Sequence, residues 1–119
     1  MAAFTDSLRG YAFKIHERGG FKCKYCGLDG ARSVAAWLSL SLDHLLPVDD
    51  HDRDNERYQV TACQFCNTAD NRYFDRAKNQ GFSFDNKSPE KLIAGRRMAV
   101  MKTRMGHEKF WVENVKEKL

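Results

Sequence analysis

The chain has 119 residues, a mass of 13.7 kDa, 42% hydrophobic and 30% charged residues, and a net charge of +4. These values describe one globular domain and argue against disordered, fibrous and large multidomain proteins, while the basic excess permits a nucleic-acid partner without requiring one. No apolar stretch approaches a membrane span, and no signal-peptide pattern opens the chain, so membrane proteins and secreted disulfide frameworks are poor candidates.

In chain order, the spacing of Phe4, Leu8, Tyr11, Ala12 and Ile15 predicts a helix over Phe4–Arg18, capped by Thr5 or Ser7 and ended by Gly19-Gly20. A cysteine turn follows over Phe21–Gly27, then an irregular connection over Leu28–Arg32. Val34–Leu42 alternates with period two and predicts a strand with one apolar face, Asp43 and His44 standing at its end. Asp49–Arg57 is a polar loop. Tyr58–Ala62 predicts a second short strand, antiparallel to the first because no crossover helix fits between them. A helix is expected over Phe65–Asn79, with Asn71, Arg72 and Asp75 outward and Tyr73, Phe74 and Ala77 inward. After a loop carrying Phe82 and Phe84, Ser88 caps a helix with Pro89 at its first position. That helix is expected to run to Met105 and stop at Gly106. A last helix over His107–Lys118 would bury Phe110, Trp111, Val115 and Leu119. Tyr73, Phe74, Phe82, Phe84 and Trp111 read as core rather than as base-stacking residues.

A core this small gains from a staple, and the cysteines offer one. They form two CxxC pairs, Cys23/Cys26 and Cys63/Cys66. Each turn points two sulfurs at one ion, and two turns complete a closed tetrahedral zinc site, structural rather than catalytic. Two disulfides or two separate redox pairs are the alternatives.

Charge is unevenly distributed. Arg9–Lys24 and Lys87–Leu119 are basic, whereas Asp43–Glu56 holds six acidic groups against Arg53 alone. Ordinary solvated surface accounts for this; so does a nuclease, with cationic flanks for phosphates and carboxylates for a metal. Asp43 and His44 are adjacent at a strand end and therefore face opposite ways, so one can bind a metal while the other handles a proton. Asn67 follows Cys66 directly, in the first turn of the helix that the zinc would pin. His51, in the acidic loop, is a rival or supplementary ligand for metal or phosphate.

Three segments taken together, Cys23-x-x-Cys26-Gly27, Leu42-Asp43-His44-x-x-Pro47 and Ala62-Cys63-x-x-Cys66-Asn67, resemble the four-cysteine branch of the HNH endonucleases from Cys23 to about Lys78. The resemblance implies an α+β fold: a ββα-metal unit on a treble-clef zinc scaffold, flanked by N- and C-terminal helices. The expected organisation is a single domain over 1–119, with an N-terminal helix in 1–20, the zinc-stabilised core in 21–79 and a helical extension in 88–119.

The resemblance assigns His44 as the general base, with Asp43 and Asn67 as ligands of a catalytic divalent ion. That ion is Mg2+ or Mn2+, with Ni2+ as a further option; the Zn2+ held by Cys23, Cys26, Cys63 and Cys66 is structural. The family's middle Asn departs from the pattern, because its usual position is Tyr58; Asn55 is the substitute expected to brace the loop and orient the histidine. Lys22, Lys24, Arg72, Arg76, Lys78, Arg96 and Arg97 are the main candidates for nucleic-acid contacts, with Lys102 and Arg104 as further ones. They suit phosphates rather than base reading.

The implied activity is hydrolysis of DNA phosphodiesters, with double-stranded DNA as the partner. A monomer would nick and a dimer would cut both strands; the sequence does not choose between them. The implied setting is the cytoplasm of a bacterial or phage-infected cell, as a phage, mobile-element or defence nuclease. The competing expectation is a non-catalytic treble-clef module that binds nucleic acid or protein.

Overall fold

The computed structural model describes residues 6–70, 72–84 and 88–118. Its elements are α1 (Phe13–Arg18), α2 (Val34–Leu38), β1 (Leu40–His44), β2 (Gln59–Cys63), α3 (Gln64–Thr68), α4 (Tyr73–Asn79) and α5 (Pro89–Asn114), with 3-10 turns at Glu56–Tyr58 and Lys116–Lys118. The strands pair antiparallel, Leu40 opposite Cys63 and His44 opposite Gln59. Two strands, the helix behind them and a cluster of four cysteines make the α+β ββα-metal arrangement that the resemblance implies.

The first helix is shorter than expected. Residues 6–12 form turns, because the Asp6 carboxylate accepts hydrogen bonds from the backbone N–H groups of Leu8 (2.9 Å) and Arg9 (2.7 Å). A side chain that satisfies the backbone locally competes with a helix, and α1 starts only at Phe13, behind Ala12 and with no side-chain cap. Ser7 therefore does not cap it. Phe4 and Thr5 lie outside the described residues. Ala12 and Ile15 are buried as expected, Tyr11 is exposed, and Gly19 ends the helix.

The expected strand Val34–Leu42 is corrected. Ser33 caps a one-turn helix by accepting from Ala36 N–H at 3.1 Å, and the strand begins only at Leu40. Val34 (73% exposed) and Leu38 (56%) are thus not part of an apolar face. The alternation that suggested one is shared by a short capped helix. The second strand sits one residue later than expected, with Tyr58 in the 3-10 turn before it.

The helix after the last cysteine is broken into α3 and α4. At the break the Arg96 guanidinium takes the carbonyl oxygens of Asn67 (3.0 Å) and Asp70 (3.1 Å), groups that a continuous helix would keep for its own N–H donors. Tyr73 and Ala77 face inward as expected, and Phe74 is packed against the core. Asn71 lies outside the described residues.

Ser88 caps α5 and Pro89 opens it, as the sequence indicates. The helix does not stop at Gly106. A single glycine costs about 1 kcal/mol inside a helix and does not end it without a left-handed cap. Over 26 residues α5 is about 39 Å long. Its first half buries Leu92, Arg96 and Val100, whereas Phe110 (61%), Trp111 (47%) and Val115 (42%) are exposed rather than buried in a separate last helix. Leu119 lies outside the described residues. Of the remaining aromatics, Phe84 is buried and Phe82 is 39% exposed.

The core lies between the strand pair, the cysteine cluster and the start of α5, around Leu45, Leu46, Tyr58, Val60, Ala62, Leu92 and Val100. His16 is fully buried against it, with Nδ1 2.6 Å from Thr61 Oγ1 and Nε2 2.8 Å from the Ser7 carbonyl. A carbonyl only accepts, so Nε2 carries the proton and Nδ1 takes one from the threonine hydroxyl. This neutral tautomer docks α1 on β2.

Gly30 fills a place open only to glycine. A Cβ there would lie 2.5 Å from Leu40 Cδ1 and 2.8 Å from the Phe21 carbonyl oxygen. Gly30→Ala is expected to destabilise the fold by about 1–3 kcal/mol, seen as a lower urea midpoint; an unchanged midpoint would contradict this packing.

Candidate functional site

The site is built from the cysteine cluster upward. Cys23 and Cys26 sit on a turn closed by hydrogen bonds from Cys23 N–H to Leu28 O (2.9 Å) and from Gly27 N–H to Cys23 O (3.0 Å). Gly27 takes the positive φ of 79° that this turn requires. Cys63 ends β2, and Cys66 lies one turn into α3. The four sulfurs lie within 4.8 Å of one another, and Cys23, Cys63 and Cys66 are buried.

Sulfur–sulfur hydrogen bonds from Cys63 and Cys66 hold the Cys23 thiol far below its ordinary range. That thiolate pushes Cys63 up to about 11 and Cys66 higher still. A divalent cation binds such groups as thiolates, and its binding releases their protons. All-thiolate donors at this spacing fit a structural zinc.

From this base the strand pair carries Asp43 and His44 outward on opposite faces of β1. Asp43 is buried (5% exposed). Its Oδ2 accepts from the Tyr25 hydroxyl at 2.5 Å and is 3.5 Å from Arg96 Nε. Burial pushes its carboxyl up, and the Arg96 charge and the Tyr25 hydrogen bond pull it back. Burial and the neighbouring carboxylate raise the Tyr25 phenol well above its ordinary range, so it remains a donor.

His44 is partly open to solvent, with Nε2 3.8 Å from Asp54 Oδ1. Burial and the Arg53 charge push its imidazole below the ordinary value, against the opposing pull of Asp43 and Asp54. It is therefore neutral near pH 7 and able to accept a proton.

Asn67 lies in α3, and its amide Nδ2 donates to Ser41 Oγ (2.9 Å) and to the Leu42 carbonyl (3.2 Å) on β1. Its side chain therefore reaches the same strand that bears Asp43 and His44. Asn55 is elsewhere. Its Oδ1 accepts from Arg57 N–H at 3.0 Å and caps the 3-10 turn. The chain beside His44 is held instead by backbone, Leu45 N–H donating to the Tyr58 carbonyl at 2.8 Å. His51 is exposed, and its ligand nitrogen groups with carboxylate oxygens of Asp50 and Asp52 in the loop.

The basic candidates divide. Lys22, Lys24, Arg72 and Arg97 are exposed, Arg97 also donating to the Lys24 carbonyl at 2.6 Å. Arg72, Arg76 and Lys78 line one shallow depression on α4, though Arg76 is ion-paired with Asp70 and Lys78 with Asp49. Arg96 is not a surface cation: it is 5% exposed, against Asp43 and the ring of Tyr73.

Sequence reasoning missed Tyr25 and Arg96 as neighbours of Asp43. Each carries a signal: Tyr25 is fixed inside the first CxxC turn, and Arg96 interrupts an apolar stripe, Leu92–Arg96–Val100, at four-residue spacing.

Neither the curated proteins nor the solved structures contain a match to the chain. The family model of the HNH endonucleases matches residues 23–72, the span from the first zinc-type cysteine through β1, β2 and α3. Among the described residues no helix is long and apolar enough to cross a membrane. Residues 23–72 are thus similar to the HNH endonucleases, nucleases that act on nucleic acid, and the similarity supports a nuclease-type activity for a segment built here around four cysteines.

Proposed function

We propose that the chain is a metal-dependent DNA endonuclease that hydrolyses phosphodiester bonds, with His44 as general base. The observation that carries this reading is the end of β1. There a buried carboxylate and a partly exposed imidazole held neutral stand on adjacent residues, on opposite faces. His44 takes the proton of the attacking water near neutral pH.

Asp43 and Asn67 are the ligands for a Mg2+ or Mn2+ ion. Oδ1 of each accepts no hydrogen bond among the described residues, and these are the hard oxygen donors such ions take. A divalent ion bound there supplies stabilisation of the negative charge that builds on the phosphate. Asn55 acts at one remove, by holding the turn before β2.

Lys22, Lys24, Arg72 and Arg97 meet the phosphates of duplex DNA. Arg76 and Lys78 join them by exchanging a carboxylate partner for a phosphate. In domain terms residues 21–79 are the nuclease core, with 1–20 and 88–119 as its flanks in a single domain. The setting is the cytoplasm of a bacterial or phage-infected cell.

Supercoiled plasmid incubated with zinc-loaded protein and Mg2+ or Mn2+ tests the reading. Open circle is the expected product, with linear DNA appearing late if monomers nick independently. The non-catalytic module is favoured by one observation: Tyr58 replaces the middle Asn, and among the described residues the Asn55 side chain bonds within its own turn. No cation-dependent conversion by folded protein would establish that alternative.

A further inference from the structure

We propose that Arg96, on α5 and outside the segment that matches the nuclease family, is a positioning residue of the cation site. This rests on the reading of Asp43 and Asn67 as cation ligands. Arg96 reaches both. Its Nε lies 3.5 Å from Asp43 Oδ2, its Nη2 donates to the Asn67 carbonyl at 3.0 Å, and its Nη1 donates to the Asp70 carbonyl at 3.1 Å. One planar fork thus ties the end of β1 to α3 and to the break before α4. A lysine carries its three donors on one nitrogen and lacks the planar span to reach all three groups.

Three further features fit positioning rather than bulk stabilisation. First, both contacts to Asp43 fall on Oδ2, from Tyr25 and from Arg96, which fixes the carboxylate and leaves Oδ1 to a cation. Second, Arg96 Nε is one of two buried side-chain donors without a hydrogen-bond partner among the described residues. A buried unsatisfied donor beside a carboxylate costs stability, so the stability of the fold alone does not explain its place there. Third, the guanidinium carbon lies 5.1 Å from the ring centre of Tyr73 and 6.0 Å from that of Phe74, so the two rings hold the fork in place.

The test is Mn2+ binding in the absence of nucleic acid. Zinc-loaded parent, Asp43→Asn, Arg96→Met and Arg96→Lys are titrated with Mn2+, and free Mn2+ is read from its electron paramagnetic resonance signal. Zinc content and helical circular dichroism are measured on each protein. Asp43→Asn and Arg96→Met are each expected to weaken Mn2+ binding about tenfold or more, the usual effect of losing a partner of a metal ligand. Arg96→Lys is expected to recover part of the loss.

If Asp43→Asn weakens binding while Arg96→Met stays within about twofold of the parent, the assignment of Arg96 is overturned and the cation site stands. Tighter binding by Arg96→Met overturns it as well, since Arg96 would then oppose the ion. If Asp43→Asn binds like the parent, or the parent does not bind, the ligand reading fails and the role of Arg96 with it. Binding unaffected by Asp43→Asn would place the ion elsewhere, the Asp50–His51–Asp52 loop being the first site to mutate. Should Arg96→Met lose its zinc, folded Arg96→Lys decides: an intermediate loss supports the assignment, and parent affinity overturns it.

Discussion

Removal of the ion from the four-cysteine cluster is expected to unfold the protein. Binding of a structural zinc by four thiolates contributes about 10–16 kcal/mol, while a domain of this kind is stable by about 5–15 kcal/mol in total. The cluster joins the turn at Cys23 and Cys26 to the end of β2 and the start of α3. Without it the strand pair keeps a small core, and four buried or half-buried thiols lose the cation that offsets their charge. A chelator stronger than the site, or Cys66→Ala, should abolish the cooperative thermal transition in circular dichroism. Added zinc should restore it to the chelated protein and not to the variant. A melting curve unchanged after verified zinc loss would show that the core suffices alone.

The second large effect is expected at His44. His44→Ala should lower the nicking rate by about 10²–10⁴-fold, the range for a general base, with zinc content unchanged. The pH profile of the parent has a defined sign. Burial and Arg53 depress the imidazole below its ordinary value, and the base is its neutral form. The rate therefore rises with pH through that depressed value and is level at neutral pH, with no loss as pH climbs through the ordinary histidine range. Rates measured over about pH 5 to 8 give the midpoint. A midpoint above the ordinary histidine value, or cutting by His44→Ala at the parent rate, would assign the proton transfer to another group.

The parts of this molecule that were legible in the sequence are those where one residue has one physical reason to be present. Paired CxxC turns place the cysteine cluster. Ser88-Pro89 starts α5 because a hydroxyl cap and a residue lacking an N–H both belong there. The order of strands and helix around Asp43, His44 and Asn67 follows from the same spacing.

What was not legible depends on partners distant in the chain. Alternation over Val34–Leu42 suits a strand, but Ser33 caps the first half as a helix. Nothing near Asn67 announces the break between α3 and α4, because the group that takes the freed carbonyls is Arg96, 26 and 29 residues away. Gly106 looks like a stop, yet α5 continues beyond the core with Phe110 and Trp111 exposed. The Asn55 side chain accepts from Arg57 N–H, and the backbone contact beside His44 is made by the Tyr58 carbonyl, where side-chain identity gives no signal.

The pairing of β1 with β2 also determines which insertions and deletions the chain can absorb. Residues 48–55 lie beyond the last rung of the ladder, Leu45 N–H to Tyr58 O. Closing a longer loop there costs little, about 0.6 kcal/mol for each doubling of its length. One residue gained or lost within Leu40–Asp43 is different in kind, because every side chain beyond it changes face. Asp43 would leave Tyr25 and Arg96 for solvent, and the imidazole of His44 would turn into the core. Length variation among sequences built on this plan should therefore collect between Val48 and Asn55, and the two five-residue strands should keep their length even where their residues differ.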